Sequence, residues 1–329
     1  MIDCDAMTWT SPRYIGVDVG GTKTRALLVE LPPHGSPPEV IDRVEMKSMA
    51  GSEEVVSTIV EAVSRLIDRD ATEPASIGVG LAGFVDRYGI VRHAPNTPGL
   101  IGVDVAGELG TVFDLPTLVD NDANCTAVAS HRLFASDAES LVAITLGTGI
   151  GGGVILDGRL LRGANGFAGE PGHMVIDLDG APCPCGQRGC WEAYASGTGL
   201  ARLARLAAEQ GRAPSLLEAA GSLEAIRGEH VTDRLEQGDQ GALEVFGEFA
   251  GYVALGVANV IMLLDPDAVV IGGGLSAHGE LLEVLIGEHL EARFAAAVRD
   301  RNVRIMVAPD GPDAGAIGAA ILGAYQAAT

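Results

Sequence analysis

A short apolar run broken by paired glycines opens each half of the chain, and this limits the possible folds more than any other feature. Residues 14–19 are mostly apolar and end at Gly20-Gly21, and a second such run covers 25–30. The pattern restarts with an apolar run over 141–146, a glycine-rich stretch over 147–153 and a return over 154–156. Short apolar runs around a tight turn predict strand–turn–strand. Further strands are predicted over 40–46, 77–81, up to 118–119, and over 268–271, the last ending in Gly272-Gly273-Gly274. Helices are predicted over 52–67, with Ser52 as N-cap, and over 123–133, 239–264 and 314–327. Two α/β halves on one plan point to a duplicated domain with a cleft between the halves. The expected division is 13–138 and 139–329, with the last helix able to pack back on the first half. Two unrelated α/β domains would give the same runs.

Composition narrows the classes. The 45 glycines among 329 residues are about twice the usual ~7%, and they are aperiodic, which excludes collagen. Hydrophobic residues at 47% and charged residues at 20% argue against disorder. The net charge of -22 repels nucleic acid and anionic membranes. It still permits an anionic ligand held by backbone amides. The N-terminus has no apolar core of signal-peptide length, and no run of about 18 apolar residues is evident. With five cysteines in so long a chain, a disulfide scaffold is not expected. A cytoplasmic protein is expected, with no nucleic-acid or membrane partner.

The glycine motifs suggest phosphate. Residues 147–152 satisfy G-x-G-x-x-G, but a dinucleotide fingerprint needs a helix next, and a strand is predicted there. Two facing glycine turns are a different phosphate device. Amides near Gly20 and Gly21 can form an anion nest, with hydroxyls from Thr22 and Thr24 beside Lys23, and Thr148 and Gly149 offer the same from the second half. Asp18 can hold Mg²⁺ through water. A plain hairpin turn is the other reading of Gly20-Gly21. Asn121 and Asp122 sit where a strand ends and a helix begins. Asp122 there either accepts a proton from a reacting hydroxyl or caps the helix. His173, Cys183, Cys185 and Cys190 supply one imidazole and three thiols, a closed tetrahedral zinc set. Buried structural thiols and a redox pair are the alternatives.

Together DVGGTKT, NDAN, LGTGIGGG, GEPGH, CPCGQRGCWE and GGGL resemble, in order, the ROK family (repressors, open reading frames, kinases) from Tyr14 to near the C-terminus. The resemblance implies an actin-like ATPase, ribonuclease H-like α/β fold, with a sugar in the cleft and ATP, Mg²⁺ and structural Zn²⁺ as cofactors. It implies Asp122 as base and Asn96, Asn121, Glu170, His173 and Glu192 as sugar ligands. Gly273 and Gly274 join the nucleotide glycines. Pro171 departs from the larger apolar residue expected there. A family repressor carries a DNA-binding segment before the first glycine turn, and here 13 residues precede Tyr14 in a strongly acidic chain. A kinase acting at O6 of a hexose is therefore expected. Glucose is favoured by GCWE followed by YASG, over N-acetylglucosamine, N-acetylmannosamine, mannose or fructose. The expected assembly is a homo-oligomer, dimer or tetramer.

Overall fold

The computed structural model describes residues 13–32, 36–48, 52–70, 72–94, 97–308, 311 and 313–327. Strands β1 (Arg13–Val19) and β2 (Lys23–Glu30) form an antiparallel hairpin closed by Val19 opposite Thr24, and β3 (Glu39–Lys47) extends it. Helix α1 (Ser52–Arg69) leads to β4 (Ile77–Leu81), which runs parallel to β1. After the small hairpin β5 (Phe84–Val85) and β6 (Val91–His93) come α2 (Val105–Phe113), β7 (Thr117–Asn121) and α3 (Asp122–Phe134). The sheet order is β3-β2-β1-β4-β7. All five residues of β4 are buried, as a strand covered on both faces requires.

The second series begins with β8 (Leu141–Leu146), β9 (Ile150–Leu156) and β10 (Arg159–Leu160). Helices α4 (Glu192–Ala195), α5 (Gly197–Glu209), α6 (Pro214–Ala220), α7 (Gly228–Glu236) and α8 (Gln240–Leu264) follow. Next are β11 (Ala268–Gly272), α9 (Gly279–Arg293), α10 (Ala295–Val298), β12 (Arg304–Val307) and α11 (Ala314–Ala327). This sheet has the order β10-β9-β8-β11-β12. With the β5–β6 hairpin set aside, both sheets place their strands third, second, first, fourth, fifth. The repeat in the sequence is thus a repeat of topology.

The chain forms two compact units, one within residues 1–143, 152–169 and 310–329, the other within 144–151 and 170–309. Residues 152–169, which include most of β9, group with the first unit, as does the last helix, whose packing back on the first half is expected from the sequence. Helix α11 can do so because β1 and β4 present glycines to it. A Cβ on Gly16 would lie 1.8 Å from the Ala316 carbonyl oxygen, and one on Gly78 1.8 Å from that of Ala319. Backbone cannot yield as a flexible side chain can, so we expect Gly78→Ala to lower stability by about 3 kcal/mol. Equal chemical-denaturation midpoints for the two proteins would show that the helix shifts freely.

One sequence reading needs correction. The stretch over 147–153 is not all turn, since β9 already begins at Ile150. Gly153 is a packing glycine: a Cβ there would lie 2.5 Å from the Ala127 Cβ of α3. Gln240–Leu264 is long and apolar enough to cross a membrane by length and composition. Its buried residues, among them Phe246, Phe249, Val253 and Val257, pack inside the second unit, so it reads as a core helix.

Candidate active site

In the first unit Asp122 occupies the first position of α3, at the C-terminal end of β7. It is not the cap. Asn121 is, accepting from the Asn124 amide at 3.0 Å, while its own side-chain NH₂ donates to the Gly83 carbonyl at 2.9 Å. The predicted sugar ligand Asn121 is therefore already engaged at both ends. The Asp122 Oδ1 accepts from the Ala123 amide at 2.9 Å. Burial nevertheless pushes the Asp122 carboxyl above the ordinary range, against that hydrogen bond.

Asp18 is close enough for the two carboxylates to repel. Its pKa is raised from 3.8 to about 6, first by burial, then by Asp122, with Arg25 opposing. The carboxylate also abuts Gly315, where a Cβ would lie 2.9 Å from its Cγ. A cation would relieve this repulsion, so the pair fits a divalent ion with oxygen ligands. In the free protein the raised pKa has a definite sign. Protonated Asp18 is favoured by folding, so its contribution is complete below pH 3.8 and is lost as pH rises through about 6. We expect Asp18→Asn to stabilise the cation-free protein above pH 6 by up to roughly 3 kcal/mol, and to give no such gain below pH 4. Melting curves across pH check this; a gain independent of pH would contradict it.

The first glycine turn is partly as read. The Gly20 amide donates to the Lys23 carbonyl at 2.9 Å, while Gly21 and Thr22 are exposed. Thr24 and Lys23 each pair with a side chain of the same unit. Strand alternation turns Thr24 inward, where its hydroxyl pairs with that of Ser48 at 3.0 Å, and Ser48 in turn donates to the Gly20 carbonyl. Lys23 points outward to Glu45, 2.6 Å away. Asn96 lies outside the described residues.

In the second unit the turns after β8 and β11 lie side by side. Gly273 has φ +94, and a Cβ there would meet the Leu146 backbone at 2.6 Å. Gly147 closes its own turn onto the Gly149 carbonyl and accepts from the Gly197 amide at 2.8 Å. Thr148 is exposed, with its carbonyl taking the Thr198 hydroxyl. The N-terminus of α5, capped by Ser196, thus adjoins this turn. Gly274 faces open space. Amides and a helix start at one place can hold phosphate. The strand β9, not a helix, follows Gly149, which removes a dinucleotide fingerprint.

The same unit brings His173, Cys183, Cys185 and Cys190 together, with ligand atoms all within 4.8 Å of one another. The His173 Nδ1 is 3.8 Å from the Cys183 sulfur, and the Cys185 and Cys190 sulfurs are 3.6 Å apart. Tetrahedral zinc with bonds of about 2.3 Å would separate sulfurs by about 3.8 Å, so the cluster fits that ion. Glu170 and Pro171 start the short 3-10 turn that carries His173, and Pro171 suits its first position because no amide is needed there. Glu192 opens α4. Its Oε1 accepts from the Cys183 thiol at 2.9 Å, and its Oε2 lies 2.6 Å from where a Gly149 Cβ would be. That carboxylate thus bridges the cysteine loop and the β8–β9 turn.

Two arrangements were not visible in sequence. Trp191, between Cys190 and Glu192, is fully buried, donates to the Tyr252 carbonyl at 2.7 Å and lies against Gly256 of α8. It anchors the cysteine loop to the core helix. Asp120 is 4% exposed and pairs with Arg162 at 2.7 Å, a partner 42 residues away.

Known proteins share this arrangement of elements. A ROK family profile matches residues 14–325. A glucokinase of Halalkalibacterium halodurans is 34% identical over 313 residues, covering 93% of each chain. An N-acetylmannosamine kinase of Citrobacter koseri is 33% identical, covering 94% of this chain and 97% of its own. Among solved structures, a ROK family glucokinase from Streptomyces griseus in complex with glucose and AMPPNP superimposes with a TM-score of 0.80 at 34% identity, over 94% of this chain and 99% of that one.

Proposed function

We propose that this chain, which belongs to the ROK family and is a sugar kinase, transfers the γ-phosphoryl group of ATP to O6 of glucose. Its fold is that of ROK glucokinase structures, within the actin-like ATPase superfamily. The observation that carries the mechanism is Asp122, a carboxylate with raised proton affinity at a strand end, held in place without being the helix cap. A base is most effective when its pKa approaches the working pH. Asp122 takes the O6 proton as O6 bonds to the γ-phosphorus; the bond from that phosphorus to the bridging oxygen breaks, and ADP leaves. Asp18 would hold Mg²⁺ through water, and the ion would neutralise charge on the phosphates. Thr148, Gly149, Gly273 and Gly274 of the second unit take the nucleotide. Glu170, His173 and Glu192 take ring hydroxyls, which suit carboxylate and imidazole partners. His173, Cys183, Cys185 and Cys190 would hold zinc, which would fix the loop that carries these ligands, and a closed four-ligand set would leave no position for a reacting group.

Glucose is supported by the GCWE–YASG context and by the glucokinase relatives. The N-acetylmannosamine kinase relatives make the acetylated sugars the competing reading. The test is kcat/KM for glucose, mannose, fructose, N-acetylglucosamine and N-acetylmannosamine under one set of conditions. Glucose should rank first. An acetylated sugar ranking first would replace glucose, and the short turn at Pro171 would be the place to look for the cause.

A further inference from the structure

We propose that Arg162 is a positioning residue for Asp122, acting through Asp120 and the first turn of α3. The inference rests on Asp122 being the base of the sugar kinase.

Three groups converge on the Asp120 carboxylate. Its Oδ1 accepts from the Asn121 amide at 2.8 Å and from the Asn124 side-chain NH₂ at 2.8 Å. Its Oδ2 accepts from the Arg162 Nε at 2.7 Å. Asn121 and Asn124 flank Asp122 and are joined to each other by the cap hydrogen bond. Asp122 therefore sits on a turn whose residues before and after it are tied to one buried carboxylate. Arg162 fixes that carboxylate from the other side. It comes from the segment just after β10, within the same unit.

Charge gives Arg162 a second reason to be there. Burial above all pushes the Cys125 thiol up; Asp120, Asp18 and Asp122 add to this, and Arg162 pulls the other way. Three carboxylates thus crowd one interior, and Arg162 compensates the most buried of them. Without it, Asp120 would be an unpaired buried anion. Such an anion is costly to keep buried and tends to turn toward water, which disturbs its bonds to Asn121 and Asn124. A buried ion pair is weak evidence for stability, since apolar residues of similar volume often replace one without loss. The geometry instead ties this pair to one turn, the turn that aims the base. Misplacement of a reacting group by about 1 Å can cost on the order of 10²-fold.

The experiment compares wild type, Arg162→Met, Arg162→Lys and the double variant Asp120→Asn/Arg162→Met. Glucose and ATP kinetics are measured, and kcat is expressed per folded molecule from circular dichroism at the assay temperature. Arg162→Met should lower kcat about 10- to 100-fold, with KM values changed much less. Arg162→Lys should recover part of the loss. The double variant removes the buried charge and keeps a side-chain oxygen for Asn121 and Asn124, yet its kcat should stay low because nothing holds residue 120 from the other side. A near-normal kcat per folded molecule in Arg162→Met would overturn the proposal. So would a double variant whose kcat returns to that of wild type, since the pair would then act only through charge burial. Wild-type protein inactive on every sugar would overturn the kinase reading itself, a result separate from either of these.

Discussion

Asp122→Asn is expected to lower kcat on the order of 10²- to 10⁴-fold, while the ligand-free protein melts at the same temperature or higher. The two halves of this expectation come from different atoms. Asparagine keeps an oxygen for the Ala123 amide, and the cap is Asn121, so α3 loses nothing. The substitution also removes one of two mutually repelling carboxylates, so Asp18 is relieved and ionises more readily. What is lost is the proton acceptor. Because burial raises the Asp122 carboxyl, the acid limb of the wild-type kcat profile should lie above the usual 3.8. A variant with near-normal kcat would show that Asp122 only shapes the turn. A variant that loses activity together with its melting transition would show a structural residue.

Cys185→Ser should reduce kcat/KM for sugar on the order of 10- to 100-fold, with ADP affinity almost unchanged. Cys185 is exposed, and burial raises the thiols of Cys183 and Cys190. The Cys183 sulfur lies 2.9 Å from a carboxylate oxygen of Glu192, one of the proposed sugar ligands, and as a thiol it donates to it. Zinc binding requires thiolates, so it removes this donor and frees the carboxylate. Parts of the loop do not depend on metal. Trp191 is locked against α8, and the Tyr194 hydroxyl donates to Asp177 while accepting from the Ala181 amide. The damage should therefore stay local. Elemental analysis, calorimetry with ADP and sugar kinetics read the three quantities. Zinc-free protein with wild-type sugar kinetics would contradict the role given to the metal. Loss of ADP binding together with the fold would mean that the metal holds the whole unit.

Buried strands and the long helices were legible because their patterns are local. Residues 77–81, 141–146 and 314–327 are read from short apolar runs or apolar helical spacing alone, and they occur as β4, β8 and α11. Glycine was harder, since one residue type serves turns and close packing alike. Gly149 belongs to a turn, whereas Gly153 sits inside β9 because α3 leaves no room for a Cβ. Thr24 carries a hydroxyl that a phosphate could use, but whether it faces a ligand depends on strand phase, and the phase places it against Ser48. The Asp122 ambiguity between base and cap was real in sequence. The structure gives the cap to Asn121. The gathering of His173, Cys183, Cys185 and Cys190 was legible through residue type and spacing, while the contact of Trp191 with α8 had no local signal. Helix α8 escaped as a long apolar segment because Gly, Glu and Tyr interrupt its run. The Asp120–Arg162 pair joins residues whose neighbourhood is set entirely by tertiary folding, and no local pattern encodes it.

The most direct measurement is product identification with purified protein, ATP, Mg²⁺ and glucose. ADP release and glucose 6-phosphate formation are followed in parallel, the latter through a glucose 6-phosphate dehydrogenase. One sugar phosphate should form for each ADP, with little ADP release when sugar is omitted. Phosphate at another position, or ADP release that glucose does not stimulate, would contradict phosphoryl transfer to O6.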